Sequence, residues 1–129
     1  MLDIRHLSKV YPDGTKGLDD VTFSVAPGEF VVIIGLSGSG KSTLLRCINR
    51  LIEPSGGQVV LDGVDITAAR PGALRAIRRD IGMIFQQFNL VKRSSVLTNV
   101  LTGRLGSVAT LPSVLGLWSA ADRATALAN

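Results

Sequence analysis

The first part of the chain alternates between apolar and polar positions in a way that predicts β-strands. Residues 2–10 alternate loosely, and residues 21–25 alternate between apolar and polar side chains. Residues 30–34 are all apolar and four of the five are β-branched, which is typical of a strand buried on both faces. Two antiparallel strands ahead of such a central strand predict a mixed sheet rather than a purely parallel one.

Beyond residue 34 the apolar positions take up helical spacing. Leucine and isoleucine side chains recur at intervals of three and four between residues 44 and 51, which predicts a helix that begins near Lys41. Ser94 or Ser95 is the expected N-cap of a later amphipathic helix. The remaining predicted elements are a short strand at 58–63, a polar helix at 71–79, an apolar strand at 81–85, and helices at 95–101, 111–118 and 120–128.

A glycine-rich loop separates the central strand from the first helix. Gly35, Gly40, Lys41 and Ser42 form the pattern G-x-x-x-x-G-K-[ST], which between a strand and a helix indicates a phosphate site. Gly35, Gly38 and Gly40 permit backbone conformations that bring N–H groups close to phosphates, and the positive end of the helix dipole adds to the attraction. The alternative, a chance glycine-rich turn, does not explain the flanking strand and helix.

The side chains of this loop have separate predicted roles toward a nucleoside triphosphate. Lys41 is expected to reach the β- and γ-phosphates, Ser42 to ligate Mg²⁺, and Thr43 to approach the α-phosphate. These residue types supply one point charge and two hydroxyl oxygens, which suit phosphate and a hard cation.

Length and composition narrow the class of protein. A chain of 129 residues with 46% hydrophobic residues predicts one small globular domain. The net charge of +4 suits an anionic ligand, but the basic residues are scattered except at 70–79, so nucleic acid is not an expected partner. The single Cys47 fits a reducing cytoplasm and a small buried side chain. No secretory signal or membrane span is recognisable, so any membrane role is expected to come through a partner.

Three further segments resemble those of one family, the ATP-binding subunits of ABC transporters. Residues 4–11 resemble that family's first strand with an adenine-stacking aromatic, which is Tyr11 here. Residues 25–30 resemble the turn before the Walker A loop, and residues 81–86 resemble the strand that ends in the Q-loop glutamine, Gln86. Within the family, residues 88–106 are most similar to phosphonate importers.

The resemblance implies an α/β P-loop NTPase fold, with residues 1–93 in the nucleotide-binding core and 94–129 beginning a helical subdomain. It implies ATP and Mg²⁺ as cofactors, Lys41 and Gln86 as catalytic residues, and Ser42 and Gln86 as Mg²⁺ ligands. The residues expected to bind the nucleotide are Tyr11, Gly35, Ser37, Gly38, Ser39, Gly40, Lys41, Ser42 and Thr43.

The resemblance also implies partners and a location. These are transmembrane permease subunits, a second ATP-binding subunit in a homodimer, and, indirectly, a periplasmic or extracellular substrate-binding protein. The expected location is the cytoplasmic face of the membrane, peripheral and held through the permease. Transported cargo would be phosphonate or a related phosphorus oxyanion, with another substrate as the alternative.

Several family elements are not found in the 129 residues: the LSGGQ-type signature, the Walker B strand with its glutamate, the D-loop and the switch histidine. Residues 55–58 and 59–62 imitate the signature and Walker B in letters. The first segment is interpreted as a turn into a strand, and Asp62-Gly63 as the turn at the end of that strand. We therefore expect the N-terminal, truncated half of such a subunit, which does not hydrolyse ATP by itself. The alternatives are a nucleotide-binding module without catalysis and another P-loop enzyme such as a small-molecule kinase.

Overall fold

The computed structural model describes residues 1–86, 90–106, 108 and 116–128. The chain divides into two compact units, Met1–Ile77 and Arg78–Asn129. The first unit contains a sheet and two helices. Its elements are β1 (Leu2–Val10), β2 (Lys16–Val25), α1 (Lys41–Ile48), β3 (Gly56–Leu61), β4 (Val64–Asp65) and α2 (Pro71–Ile77). The second unit contributes two described helices, α3 (Val96–Thr102) and α4 (Ala120–Ala128).

The sheet has the order β2-β1-β3-β4 and each neighbouring pair is antiparallel. Ile4 in β1 lies opposite Phe23 of β2 and Val59 of β3. Ile4, Leu7 and Val59 are almost completely buried and form the centre of the core. The strand predicted at residues 2–10 is confirmed, and β2 begins five residues earlier than the alternation at 21–25 predicts.

A bulge in β1 explains how two residues three apart both face the core. Ile4 and Leu7 would point to opposite faces of a regular strand, because side chains alternate with period two. The register shifts between them, and His6 has a φ of 50°, so the extra residue restores the inward direction of Leu7. Across the bulge Gly57 is required, since a Cβ there would lie 2.3 Å from the His6 carbonyl oxygen.

The two imitation motifs form a lead into strand β3 and the turn after it, as expected. Asp62 (φ 48°) and Gly63 (φ 81°) connect β3 to β4 in a two-residue hairpin turn, which needs positive φ at both positions. The Ser55 backbone N–H donates to the Ser8 carbonyl, and β3 begins directly afterwards at Gly56. Residues 55–58 therefore lead into a strand rather than capping a helix, and Asp62 serves the hairpin.

Helix α1 packs against the sheet through one face. Leu44 and Cys47 are buried there, and the prediction that Cys47 is a small buried side chain is confirmed. Burial raises the pKa of the Cys47 thiol, which keeps it protonated. The helix ends at Ile48, three residues before the predicted end, and Arg50 follows with a φ of 54°.

Two predicted strands are not formed. Residues 30–34 have no strand assignment in the structure, and the side chains of Phe30 and Ile34 are each 89% exposed. Residues 81–85 also lack a strand, and Ile84 is 93% exposed. A strand exists only with a hydrogen-bonded neighbour, and none of the four paired strands has residues 30–34 or 81–85 as a partner. The parallel part of the predicted mixed sheet is therefore not formed among the described residues.

In the second unit α3 and α4 pack together, with Leu101 and Ala126 buried. Ser95 is the N-cap of α3, because its side chain accepts a hydrogen bond from the Thr98 backbone N–H at 3.1 Å. The helix predicted at 120–128 is confirmed as α4. Most of the helix predicted at 111–118 lies outside the described residues.

An ion pair and a hydrogen bond, both made by Asp122, connect the end of α3 to the start of α4. The Asp122 carboxylate accepts hydrogen bonds from Ser119 Oγ at 2.6 Å and from Arg104 Nε at 3.0 Å. Hydrogen bonding from Ser119 lowers the pKa of the Asp122 carboxyl, with a further lowering by Arg104, against the raising effect of burial.

Among the described helices, none combines the length and apolar character that crossing a bilayer requires.

Candidate nucleotide site

The loop before α1 is shaped by two glycines in left-handed conformations. Gly38 has a φ of 81° and Gly40 a φ of 88°, a region that side-chain-bearing residues rarely adopt. The loop closes through a hydrogen bond from the Ser39 backbone N–H to the Leu36 carbonyl at 3.2 Å. Gly40 is the N-cap of α1 and has no side chain that could accept a hydrogen bond from the first N–H groups of the helix. These N–H groups point toward the N-terminal end of the helix, where the loop lies.

Glycine is also needed for close packing at two loop positions. A Cβ on Gly40 would lie 2.3 Å from the backbone carbonyl oxygen of Gly17 in β2. A Cβ on Gly35 would lie 2.6 Å from Ser39 Oγ. The loop therefore rests directly on the β2 backbone at one end and on its own side chain at the other, which holds its curvature.

The Lys41 side chain folds back into the loop. Its ammonium donates to the carbonyl oxygens of Gly35 at 2.8 Å and Leu36 at 2.6 Å, and to Ser39 Oγ at 3.2 Å. These contacts hold the positive charge at the mouth of the loop rather than in bulk solvent. An anion that enters the loop meets this charge without a large rearrangement of the side chain.

The loop encloses a small concave site of about 130 Å³. Backbone N–H groups at the start of α1, the helix dipole and the Lys41 ammonium all present positive charge to this space. Its shape and donors fit phosphate groups, and the exposed Ser42 hydroxyl fits one ligand position of Mg²⁺, which keeps several waters. The site is lined by Gly38, Ser39, Gly40, Lys41, Ser42 and Thr43.

Tyr11 lies beside this loop although it is 32 residues away from Thr43 in sequence. Its hydroxyl is 3.1 Å from Thr43 Oγ1, within hydrogen-bond distance. The ring edge packs on Gly17, where a Cβ would lie 2.7 Å from Tyr11 Cε2 and 3.1 Å from the Thr43 methyl. The β1–β2 hairpin therefore brings the predicted base-stacking ring to the predicted phosphate loop.

Sequence reasoning missed two residues at this junction, Gly17 and Lys9. The Lys9 ammonium lies 5.4 Å from the centroid of the Tyr11 ring. Its position two residues before Tyr11, at the end of an alternating strand, was the only signal that the two side chains share a face. Gly17 had no such signal, because its role depends on contacts with distant parts of the chain.

Gln86 lies in the second unit, and its side chain is exposed. Phe88, the first residue of the segment that is similar to phosphonate importers, lies outside the described residues.

An apolar groove of about 500 Å³ lies farther along the chain. It is lined mainly by Leu90, Val91, Val96 and Val100.

An asparagine side chain holds one wall of this groove. The Asn99 side chain accepts a hydrogen bond from the Val91 N–H at 2.8 Å and donates to the Val91 and Ser95 carbonyls at 3.2 and 3.0 Å. The segment that precedes α3 is thus fixed to the helix by hydrogen bonds between the Asn99 side chain and backbone groups, and not by burial alone.

The fold and loop together define a nucleotide-binding cassette, and the comparisons agree. The profile of the family described as ABC transporter matches residues 18–129. The chain therefore belongs to the ABC transporter family.

Two relatives are informative about the subgroup. A phosphonates import ATP-binding protein PhnC of Bacillus cereus is 57% identical over 122 residues, which cover 95% of this chain and 48% of the relative. The protein of the same name from Shouchella clausii is 55% identical over 127 residues, 98% of this chain and 48% of its own length. The chain thus spans about half the length of the curated relatives it matches.

Solved structures of cassettes have the same fold. The ATP-binding cassette MJ0796, in a dimeric post-hydrolysis state bound to ADP and Pi, matches with a TM-score of 0.83 at 34% identity and covers 99% of this chain. A second dimeric structure of MJ0796, described as a bacterial ABC transporter cassette, matches with a TM-score of 0.81. This chain covers 55% and 53% of those two chains, respectively.

Proposed function

We propose that this chain forms the nucleotide-binding part of the ATP-binding subunit of an ABC importer. In this proposal ATP hydrolysis drives the uptake of phosphonate or a related phosphorus oxyanion. The observation that carries the nucleotide assignment is the Lys41 ammonium, which is held within the loop at 2.6–2.8 Å from two loop carbonyls, at the N-terminus of α1. The substrate assignment rests on the phosphonate import relatives, which are 54–57% identical over 95% of the chain.

The loop supplies the phosphate contacts in this proposal. Backbone N–H groups of Ser37, Gly38 and Gly40 surround the phosphates, Ser39 lines the site beside them, and Gly35 permits the close approach of the loop. Lys41 neutralises charge on the β- and γ-phosphates and later on the transition state. Ser42 and Gln86 would hold Mg²⁺, which would supply positive charge to stabilise the charge that develops on the leaving group.

Ser42 and Gln86 are the proposed Mg²⁺ ligands, and Gln86 also positions the attacking water. The Ser42 hydroxyl is exposed at the first turn of α1, directly after Lys41. Gln86 is exposed in the second unit. Both are neutral oxygen ligands, which suits a cation that is already paired with phosphate charge.

Tyr11 and Thr43 form the proposed link between base and phosphate. A hydroxyl can donate one hydrogen bond and accept two, so Thr43 Oγ1 can accept from the Tyr11 O–H while it donates to the α-phosphate. The 3.1 Å separation between the two oxygens supports this chain of hydrogen bonds. The Tyr11 ring then stacks on the adenine, a contact that does not read the edge of the base.

The proposed partners follow from the family. A second ATP-binding subunit completes the site in a homodimer, permease subunits span the membrane, and a periplasmic or extracellular protein delivers the substrate to them. The subunit is held at the cytoplasmic face of the membrane, with residues 1–93 as core and 94–129 as the start of the helical subdomain. The apolar groove at Leu90, Val91, Val96 and Val100 is the surface that we assign to the permease.

A chimera tests the transport assignment. Residues 1–129 replace the matching half of the Bacillus cereus relative, and the chimera is expressed in a strain that lacks its own copy of that protein. Growth with a phosphonate as the only phosphorus source is the expected result, and the same chimera with Lys41→Ala is the control. A chimera that hydrolyses ATP but does not support growth on phosphonate contradicts the proposed substrate.

The 129-residue polypeptide alone is proposed to bind ATP without turnover. Hydrolysis needs an oriented and activated water, and the one acidic residue after a Walker B-like apolar run, Asp62, lies in a hairpin turn. Phosphate release is measured with Lys41→Ala as the blank. Lys41-dependent release of about one per second, the low end for enzymes, contradicts this second proposal.

A further inference from the structure

Lys9 occupies a position that the nucleotide assignment does not use. Its ammonium lies 5.4 Å from the Tyr11 ring centroid and donates a hydrogen bond of 2.8 Å to the backbone carbonyl of Glu53. A cation within about 6 Å of an aromatic centroid is attracted by the electron-rich face of the ring. The carbonyl anchor therefore holds the ammonium over one face of Tyr11.

The anchor is itself held in place. Arg50 Nε donates to both carboxylate oxygens of Glu53, at 3.0 and 2.8 Å, and its guanidinium also donates to the Ala69 carbonyl at 2.6 Å. Because Arg50 engages the Glu53 carboxylate, Lys9 contacts only the neutral carbonyl of that residue. In the ranges described, Lys9 forms no ion pair with a carboxylate.

The Tyr11 ring is therefore restrained on three sides. Thr43 Oγ1 holds its hydroxyl, the Cα of Gly17 supports its edge, and the Lys9 ammonium covers one face. A base that stacks on Tyr11 must then use the face opposite Lys9. An aromatic ring that is already ordered loses less side-chain entropy when a ligand stacks on it.

We propose that Lys9 is a positioning residue for the nucleotide base, acting through Tyr11. The ammonium fixes the ring so that only its opposite face accepts a base, and its charge draws electron density toward the covered face. This inference rests on the proposed function, because it requires Tyr11 to stack on the base. It also predicts that Lys9 does not contact phosphate, although a lysine near a phosphate loop is usually assumed to do so.

Two ligands separate these roles: MgATP and magnesium tripolyphosphate, which has the phosphates but no base. Lys9→Met removes the charge at similar side-chain length, and Lys9→Arg retains it. Lys9→Met is expected to weaken MgATP about two- to fivefold, the range for one cation–π contact, and to leave tripolyphosphate unchanged. Lys9→Arg is expected to bind both as the parent does. Competition against a fluorescent ATP analogue measures both affinities.

Tyr11 is the only tyrosine, so ring-labelled tyrosine gives an NMR signal that needs no assignment. That signal is expected to move in Lys9→Met and to stay unchanged in Lys92→Ala, which removes an exposed lysine of the second unit. If Lys9→Met is unfolded by circular dichroism, Lys9→Gln repeats the charge removal with a polar side chain.

The outcomes distinguish this inference from the proposed function. Equal weakening of both ligands in a folded Lys9 variant makes Lys9 a phosphate contact and overturns the inference. Unchanged MgATP affinity in Lys9→Met, together with a loss in Tyr11→Ala, overturns the inference and leaves the stacking role of Tyr11 standing. Unchanged affinity in a folded Tyr11→Ala overturns the stacking role and the inference with it.

Discussion

Replacement of Lys41 by alanine is the most direct test of the nucleotide site. A charge-assisted hydrogen bond to phosphate contributes about 1.5–3 kcal/mol, which corresponds to about a 10- to 150-fold change in affinity. In the structure the ammonium already has three partners, Gly35, Leu36 and Ser39. A phosphate oxygen must replace or share one of them, so the net loss in Lys41→Ala is expected near the lower end, about 10-fold.

The same contacts predict that the variant folds. The loop carbonyls that Lys41 contacts are exposed, so water replaces the lost hydrogen bonds and the free energy of unfolding changes by less than about 1 kcal/mol. A fluorescent ATP analogue is titrated at low protein concentration, with and without Mg²⁺, and thermal unfolding is recorded alongside. Removal of Mg²⁺ is also expected to weaken binding, because the cation pairs with phosphate charge.

The control removes one positive charge elsewhere. Arg123 is exposed on α4 in the second unit, and Arg123→Ala is expected to bind the analogue as the parent does. Folded Lys41→Ala with the affinity of the parent would refute the assignment of the loop to phosphate. Equal losses in both variants would show that net charge, rather than the loop, governs binding.

Three further predictions concern the loop, a helix cap and the second unit. Gly40→Ala is expected to abolish binding of the ATP analogue, while Gly38→Ala weakens it less. Both glycines have a positive φ, but only a Cβ at position 40 meets a backbone atom, the Gly17 carbonyl oxygen. Comparable losses of affinity in the two variants would contradict the close-packing argument. Ser95→Ala is expected to lower the free energy of unfolding by about 1 kcal/mol, the usual effect of losing an N-cap, measured by urea denaturation. The pKa of the Asp122 carboxyl is lowered in the folded chain, so its contribution to stability is present above about pH 4 and is lost as pH falls through the folded pKa. Asp122→Asn should therefore flatten the fall in thermal unfolding temperature below about pH 4, and an unchanged acid profile would argue against this role.

Local features of the sequence determined much of the fold. The first strand, the helix after the glycine loop, the Asp62–Gly63 turn and the Ser95 cap were all predictable, because each depends on interactions between residues close in the chain. The phosphate loop was recognisable for the same reason. Its glycines, lysine and hydroxyl residues act within one short segment, so their spacing carries the information.

Burial and long-range contacts were decided only by the tertiary structure. The apolar run at 30–34 predicted a buried strand. Its burial depends on neighbouring strands, and none of the four strands of the sheet pairs with it, so these side chains are exposed. The extra residue at His6 that turns Leu7 inward was not visible in the alternation of β1. Gly17 joins the site because hairpin pairing brings it to Tyr11, and no pattern along the chain encodes that contact. The spacing of Lys9 and Tyr11 indicates a shared face, but the Glu53 carbonyl that anchors Lys9 comes from the loop after α1.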